Sequence, residues 1–260
     1  MIRVGAVGYL NARPLTWALG REPDRWHVRY DVPSVCARLL FEHHVDLGLI
    51  PSVEYLAALD YRLVPGVGVC SRGAVGSVAL FARTEIGDVR RLALDASSRT
   101  SVALTKVLCA KHFRIAPDFI PHGPDLGAML RTADAALLIG DPALETDAAD
   151  HGARKIDLGS EWEAMTGLPF VYAAWTGRRG AVSASDVSSL QAAQAEGVRA
   201  LPEIAREYGG GAVEKTARAA AYLRDNVRYG LGPDEAAGLQ LFLDYAAELG
   251  LGPRRELGFY

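Results

Sequence analysis

The residues of this chain best suited to chemistry stand at the ends of apolar runs. Tyr9 and Asn11 follow one run in AVGYLNARPL, and Ser52 follows another in LGLIPSVEYL. Ser97, Ser98, Arg99, Thr100 and Ser101 follow a third in LALDASSRTSVAL, and Gly140 and Asp141 follow a fourth in LLIGDPAL. Polar groups so placed face ligand when the runs are strands of an open α/β sheet. The third stretch is the most telling. Hydroxyls and free backbone N–H groups gather there at a helix start, where the dipole favours negative charge, so the chemistry implied is the binding of an anion, a carboxylate first. A lone serine at such a place is an N-cap contributing ~1 kcal/mol, but one cap explains one serine and not four hydroxyls around Arg99. Tyr9 and Asn11 read equally well as a buried tyrosine and a turn asparagine. Ser52 reads also as a cap, with Pro51 shaping the turn and Glu54 in the first helical turn. Asp141 is either a cleft carboxylate or another cap, and Arg99 taken alone is more often solvated.

These side chains need elements to carry them. The first part of the chain alternates: IRVGAV, a helix from about Arg13, HVRYDV, the helix PSVCARLLFEHH with Pro33 suited to its first turn, then DLGLI. That rhythm predicts βαβ units and a largely parallel sheet. After two extended runs, LVPGVGVCSRG and GSVALFAR, it restarts with VRRLALD, a helix over SSRTSVALTKVLCAKHF, DFIPH, the helix DLGAMLRTA and AALLIG. From SASDVSSLQ onward the texture is helical. Ser183 or Ser185 caps a helix broken at Pro202, GAVEKTARAAAYLRDNVRYG is a second, and PDEAAGLQLFLDYAAELG a third between Pro233 and Gly250. This tail reads as helical packing. GSVALFAR and PFVYAAWTG lack the composition of flexible linkers, which favours two strands crossing between lobes, with one lobe inserted into the other. The expected division is residues 1–82 with 172–260 as one lobe and 83–171 as the other, a cleft between them, and hinges near Ala82 and Ala173.

Composition narrows the function. Half of the 260 residues are hydrophobic and 23% charged, as in an ordinary globular protein. The net charge is −3 with no basic stripe, which makes nucleic acid an unlikely partner by this reading. Cys36, Cys70 and Cys109 are an odd number without metal-like spacing, so free buried thiols are expected. Asn11 and Arg13 interrupt any signal-like apolar run, and no window approaches a membrane span; the expected location is cytoplasmic. Neither G-x-x-x-x-G-K-[ST] nor G-x-G-x-x-G occurs, and the six histidines lie outside the polar stretches. Nucleotide binding, a nucleophilic triad and a histidine-based metal site therefore have no support, and neither cofactor nor metal is expected.

Taken together, AVGYLNARPL, DLGLIPSVEYL, LALDASSRTSVAL, AALLIGDPAL and DLGSEWEAMTGLPFVYAAWTGR resemble, in order from residue 1 to about 180, the chorismate dehydratase family of the futalosine route to menaquinone. The resemblance implies an α/β fold like that of type II periplasmic binding proteins: two lobes, two crossover strands, a ligand between them and a helical C-terminal section. It implies that chorismate loses water to give 3-[(1-carboxyvinyl)oxy]benzoate. The two substrate carboxylates are then expected to meet Ser98, Arg99, Thr100 and Ser101 from one lobe and Tyr9, Asn11 and Ser52 from the other, with Ser77 and Gly140 adjoining. In that reading the substrate's enolpyruvyl carboxylate takes the proton and Asn11 orients the ring or donates to the departing oxygen, with Asp141 as the rival base. Two alternatives stand beside it. One is the sister enzyme that forms 1,4-dihydroxy-6-naphthoate, whose family typically carries a histidine in the region of LLIGDPAL; the other is a cytoplasmic solute-binding sensor of the same fold.

Overall fold

The structure is a computed structural model describing residues 1–260. Apolar, β-branched runs pair first. Strand β1 (Ile2–Val7) takes β2 (Trp26–Asp31) on one side and β3 (Leu47–Pro51) on the other, both parallel, with Val4 opposite Val28 and Leu47. Between them α1 (Arg13–Thr16) makes a single turn and α2 (Pro33–Phe41) a full helix, with Pro33 in the first turn where its missing N–H is no loss. Strand β4 (Tyr61–Ser71) then leads to a second unit: β5 (Val78–Ala82), β6 (Arg91–Asp95), α3 (Arg99–Leu108) prolonged by a π-helical turn over Cys109–Phe113, β7 (Asp118–His122), α4 (Leu126–Thr132), β8 (Ala135–Ile139), α5 (Gly140–Glu145), β9 (Arg154–Asp157) and α6 (Leu158–Thr166). Strand β10 (Phe170–Arg178) returns to the first sheet, and α7 (Ala184–Arg199), α8 (Leu201–Gly209), α9 (Val213–Asp225) and α10 (Pro233–Glu248) complete the chain. Ser183 caps α7 in a box with Asp186.

The two sheets have orders β2-β1-β3-β10-β4 and β7-β6-β8-β5-β9. Their plans match. Each has one reversed strand, β10 or β5, wedged between the third and last of four co-directional ones. The reversed strand is in each case the one that follows a passage between sheets, so the largely parallel rhythm of the sequence is interrupted once per lobe. The C-terminal ends of β1, β3, β6 and β8 therefore meet between the sheets, where ligands of open α/β folds bind.

Two expectations from the sequence need correction. Val78 to Ala82 pairs wholly with β8 and β9, so the second lobe begins near residue 76 and not at 83. Neither β5 nor β10 is shared between sheets; the chain crosses through residues 72–77 and 158–169, the second passage containing α6. Ala82 closes both ladders of β5, paired with Ala135 and Arg154, and Ala173 is paired with Pro51 and Val69, so neither lies in a passage between the sheets. Apolar alternation alone cannot distinguish a strand that spans two lobes from one that begins just inside the second.

A continuous core fills the first lobe and the inner face of the second sheet, while alternate residues of β5 and β8 (Ala79, Phe81, Ala136, Leu138) turn outward against Leu126, Met129 and Leu130 of α4. The three cysteines are free and buried, and burial pushes each thiol well above its ordinary range. No helix is long and apolar enough to cross a membrane.

Candidate functional site

A cleft opens between the lobes, about 470 Å³ when the open solvent at its mouth is counted. From the first lobe it takes the ends of β1 and β3 with the loop that follows β1 (Val7, Tyr9, Asn11, Pro51) and the start of β10 (Tyr172, Ala173). From the second it takes Val78, Ile139 and Gly140, and Ser98 and Ser101 at the head of α3. Its walls are mostly apolar. None of the fifteen lining residues is Lys, Arg, His, Asp or Glu, so any charge held here is met by neutral donors and backbone dipoles.

Five of the residues singled out by sequence thus converge: Tyr9, Asn11, Ser98, Ser101 and Gly140 line one space. Ser98 caps α3, its Oγ accepting the Ser101 N–H and lying 3.0 Å from Ser101 Oγ. The first-turn N–H groups of Arg99 and Thr100 have no carbonyl one turn earlier in the helix to bond. Gly140 sits at φ +65, and a Cβ there would stand 3.4 Å from the Tyr9 ring, so the ring of one lobe lies flat over the glycine of the other. Burial raises the Tyr9 phenol pKa; the adjacent Ser97 hydroxyl opposes this, and the negative fields of Asp95 and Asp141 add to it.

The other five are placed differently. Thr100 bridges the lobes beside the cleft, its Oγ1 accepting the Val53 N–H at 3.1 Å and lying 3.4 Å from Ser52 Oγ, while Ser52 Oγ donates to the Val171 carbonyl of its own lobe at 2.7 Å. Both are buried, and neither lines the cleft. Arg99 points outward into a 3.0 Å ion pair with Glu54 of the first lobe. Ser77 is buried beneath the cleft with its Oγ 2.7 Å from the Tyr222 hydroxyl. Asp141 accepts the Leu10 N–H at 3.3 Å; burial raises its pKa, with the Leu10 N–H, the Tyr208 hydroxyl and the Arg13 charge opposing. The reason is common to all five. A residue at a strand end or helix start can face a ligand or the opposite lobe, and local sequence does not choose between them.

Sequence reasoning found Tyr9 but missed Tyr172, Tyr208 and Tyr222. Tyr172 lines the cleft and shares its hydroxyl with Ser71 Oγ at 2.9 Å, while burial lifts its pKa far above the ordinary phenol range. Its only signal was a polar ring in an apolar strand. The helical tail is more than packing. Tyr208 of α8 donates to Glu145 of the second lobe at 2.9 Å, and Tyr222 of α9 brings its hydroxyl to within 2.7 Å of Ser77 Oγ. Asp95, at the end of β6, is buried with Oδ1 on the Ser97 N–H and Oδ2 unpartnered.

Comparison with known proteins adds the relatives. Over 219 residues the chain is 34% identical to the chorismate dehydratase of Thermus thermophilus, covering 78% of this chain and 79% of that one. It is 30% identical over 175 residues to the chorismate dehydratase of Campylobacter jejuni, covering 65% of this chain and 64% of that one. A solved protein of Archaeoglobus fulgidus superposes with a TM-score of 0.73 at 20% identity, covering 96% of this chain and 98% of that one. The periplasmic aliphatic sulphonate binding protein of Escherichia coli gives 0.68 at 19% identity, covering 98% and 89%, so the fold is that of periplasmic binding proteins. The family described as Menaquinone biosynthesis matches residues 2–248, nearly the whole two-lobed architecture that builds the cleft, and the chain belongs to that family.

Proposed function

We propose that this chain is a chorismate dehydratase, a hydro-lyase that eliminates water from chorismate to give 3-[(1-carboxyvinyl)oxy]benzoate on the futalosine route to menaquinone, working in the cytoplasm. The observation that carries the reading is a two-lobe cleft with hydroxyls, a helix start and a single carboxamide on its walls and no ionisable group other than two tyrosines. A small dianion fits such a space if its charges are met by Ser98, Ser101 and the first-turn N–H groups of α3. Elimination breaks the ring C3–H and C4–O bonds and leaves an aromatic ring, so the substrate supplies much of the driving force. The enzyme's share is positioning, assistance to the departing oxygen and exclusion of solvent. No lining residue is a ready base at neutral pH. The enolpyruvyl carboxylate therefore takes the C3 proton, and proton and C4 hydroxyl leave together as water. Asn11 donates its amide hydrogens to the departing oxygen. Asp141, with Oδ1 on the Leu10 N–H and no place on the cleft wall, serves the joint between lobes.

The test is incubation with chorismate and mass analysis of the product. A species lighter by one water supports the reading. Unchanged chorismate, with the cyclic futalosine derivative consumed, would assign the sister reaction instead; that alternative is disfavoured because no histidine lines the cleft. Binding of chorismate without turnover would leave a sensor.

A further inference from the structure

The cleft wall carries two aromatic rings, and that of Tyr9 lies against Gly140 of the opposite lobe. The other is Tyr172, whose place in its strand is unusual. Val171 pairs with Cys70 and Ala173 with Val69, so Tyr172 is the extra residue of a β-bulge in β10. A bulge re-aims a side chain, and bulges gather beside functional sites for that reason. We infer that Tyr172 is a specificity-determining residue: its ring takes the six-membered ring of the substrate, so that the cleft selects cyclic dianions over open-chain dianions of similar span. The inference rests on the reading of the cleft given above and supplies a partner for the substrate's ring, which that reading leaves without one.

Three observations make the Tyr172 ring a platform. The first is that its hydroxyl is committed away from the cleft. Ser71 Oγ donates to the Gly73 carbonyl at 3.1 Å, an oxygen that can only accept, and the Tyr172 hydroxyl lies 2.9 Å from Ser71 Oγ. Ser71 has one proton, so Tyr172 donates to Ser71; the reverse order leaves the phenol proton buried without an acceptor. Tyr172 is 7% exposed and Ser71 1%. A Cβ on Gly159 would stand within 2.8 Å of all three oxygens, so the second passage seals the group. What Tyr172 offers the cleft is therefore its ring carbon. The second observation is the backing: Phe170 meets the Tyr172 ring edge-on at 4.8 Å, and Phe242 of α10 meets Phe170 at 4.9 Å. The third is the company. Val7, Leu49, Pro51 and Val69 of the first lobe line the cleft with Tyr172, whereas the lining serine hydroxyls, Ser98 and Ser101, come from the second. A dianion with a carboxylate at the head of α3 thus lays its carbocycle toward the first-lobe wall, where contact between rings contributes beyond the area it buries.

The experiment uses the full chain and two unreactive dianions: 3-(carboxymethoxy)benzoate, which has a ring, and heptanedioate, which has none. Titration gives the affinity of the first, and its displacement gives that of the second. The wild type is expected to prefer the cyclic probe by about tenfold or more. Tyr172→Leu, which removes the ring, is expected to lose about threefold to tenfold in affinity for the cyclic probe and less than twofold for heptanedioate. Tyr172→Phe keeps the ring and its backing, and is expected to retain the preference to within about threefold. No preference in the wild type overturns the inference, as do equal losses for both probes in Tyr172→Leu, the mark of a merely structural role. Should Tyr172→Leu fail to fold, the ring-proton signals of Tyr172 in the wild type, assigned by their loss in Tyr172→Phe, decide the matter. The ring current of the cyclic probe is expected to move them, and signals left in place are equally decisive. A wild type that shows the preference and leaves chorismate unchanged defeats the proposed function alone. One that turns chorismate over without the preference defeats the inference alone.

Discussion

Each cleft residue carries a separable task. Asn11→Ala is expected to lower turnover far more than affinity, because its contact with the departing oxygen strengthens as the C4–O bond breaks; comparing kcat with the dissociation constant of an unreactive analogue checks this. Asp141→Asn keeps an acceptor for the Leu10 N–H, bonded at 3.3 Å in the wild type, and is expected to lose less than tenfold in kcat. A loss beyond about a thousandfold with binding intact would make Asp141 the general base and overturn the substrate-assisted reaction. The same variant has a stability signature. Burial raises the folded-state pKa of Asp141, so ionisation costs the folded wild type stability as pH rises from the ordinary carboxylate range through the raised value. Asparagine has nothing to ionise. Its advantage in unfolding free energy should be absent at acid pH and grow to a plateau above that window, and a difference that is flat with pH would place the Asp141 pKa at its ordinary value.

Among the elements, the two passages between lobes matter most, and one carboxylate joins them. Asp157, at the end of β9, accepts N–H groups from Val75 (3.0 Å) and Gly76 (2.6 Å) of the first passage and from Gly159 (2.9 Å) and Ser160 (3.1 Å) of the second. It is at once the N-cap of α6 and a staple between segments more than eighty residues apart. Gly159 has no room for a side chain, since a Cβ would stand 2.5 Å from the Gly73 carbonyl and 2.7 Å from the Tyr172 hydroxyl. The return passage is gripped from the other side by Trp162, which donates to the Pro169 carbonyl at 3.1 Å and meets Phe170 and Phe242 edge-on. Asp157→Ala is expected to cost on the order of 2–4 kcal/mol in denaturant unfolding, since bonds to a charged acceptor contribute roughly 1.5–3 kcal/mol each and do not add fully. A cost below about 1 kcal/mol would show that the passages hold together without it.

At the scale of the whole molecule, the lobes are latched on both flanks of the cleft. On one flank Thr100 accepts the Val53 N–H and Arg99 pairs with Glu54; on the other Asp141 meets Leu10, and Glu145 meets Tyr208 and Lys215. These contacts join the lobes across the mouth of the cleft. Thr100→Val removes the acceptor from a buried N–H, a penalty of about 1–3 kcal/mol that opening relieves. The ligand-free variant is therefore expected to have a larger radius of gyration in solution scattering than the wild type, a saturating substrate analogue to restore the compact profile, and KM to rise more than kcat falls. Superimposable ligand-free profiles would show that this latch does not set the opening equilibrium.

The sequence by itself determined the strands, most of the helices and the cleft's polar ends, because those are local properties. Pro33 and Pro233 mark helix starts, Ser183 caps, and apolar runs end at Tyr9, Ser98 and Gly140. The family resemblance carried the fold and the reaction class. Only the tertiary structure decided which polar residues share a space. Ser98 and Thr100 are two residues apart on one helix start, yet one faces the cleft and the other the opposite lobe. Tyr222 reaches Ser77 from a helix whose sequence reads as packing alone. The passages likewise lie at residues 72–77 and 158–169, ahead of the strands β5 and β10 that make up most of the apolar runs the pattern favoured. The physical reason is range. Capping and periodicity act over a few residues along the chain, whereas a side chain's partner across the cleft is set by how two separately folded sheets come to rest against each other.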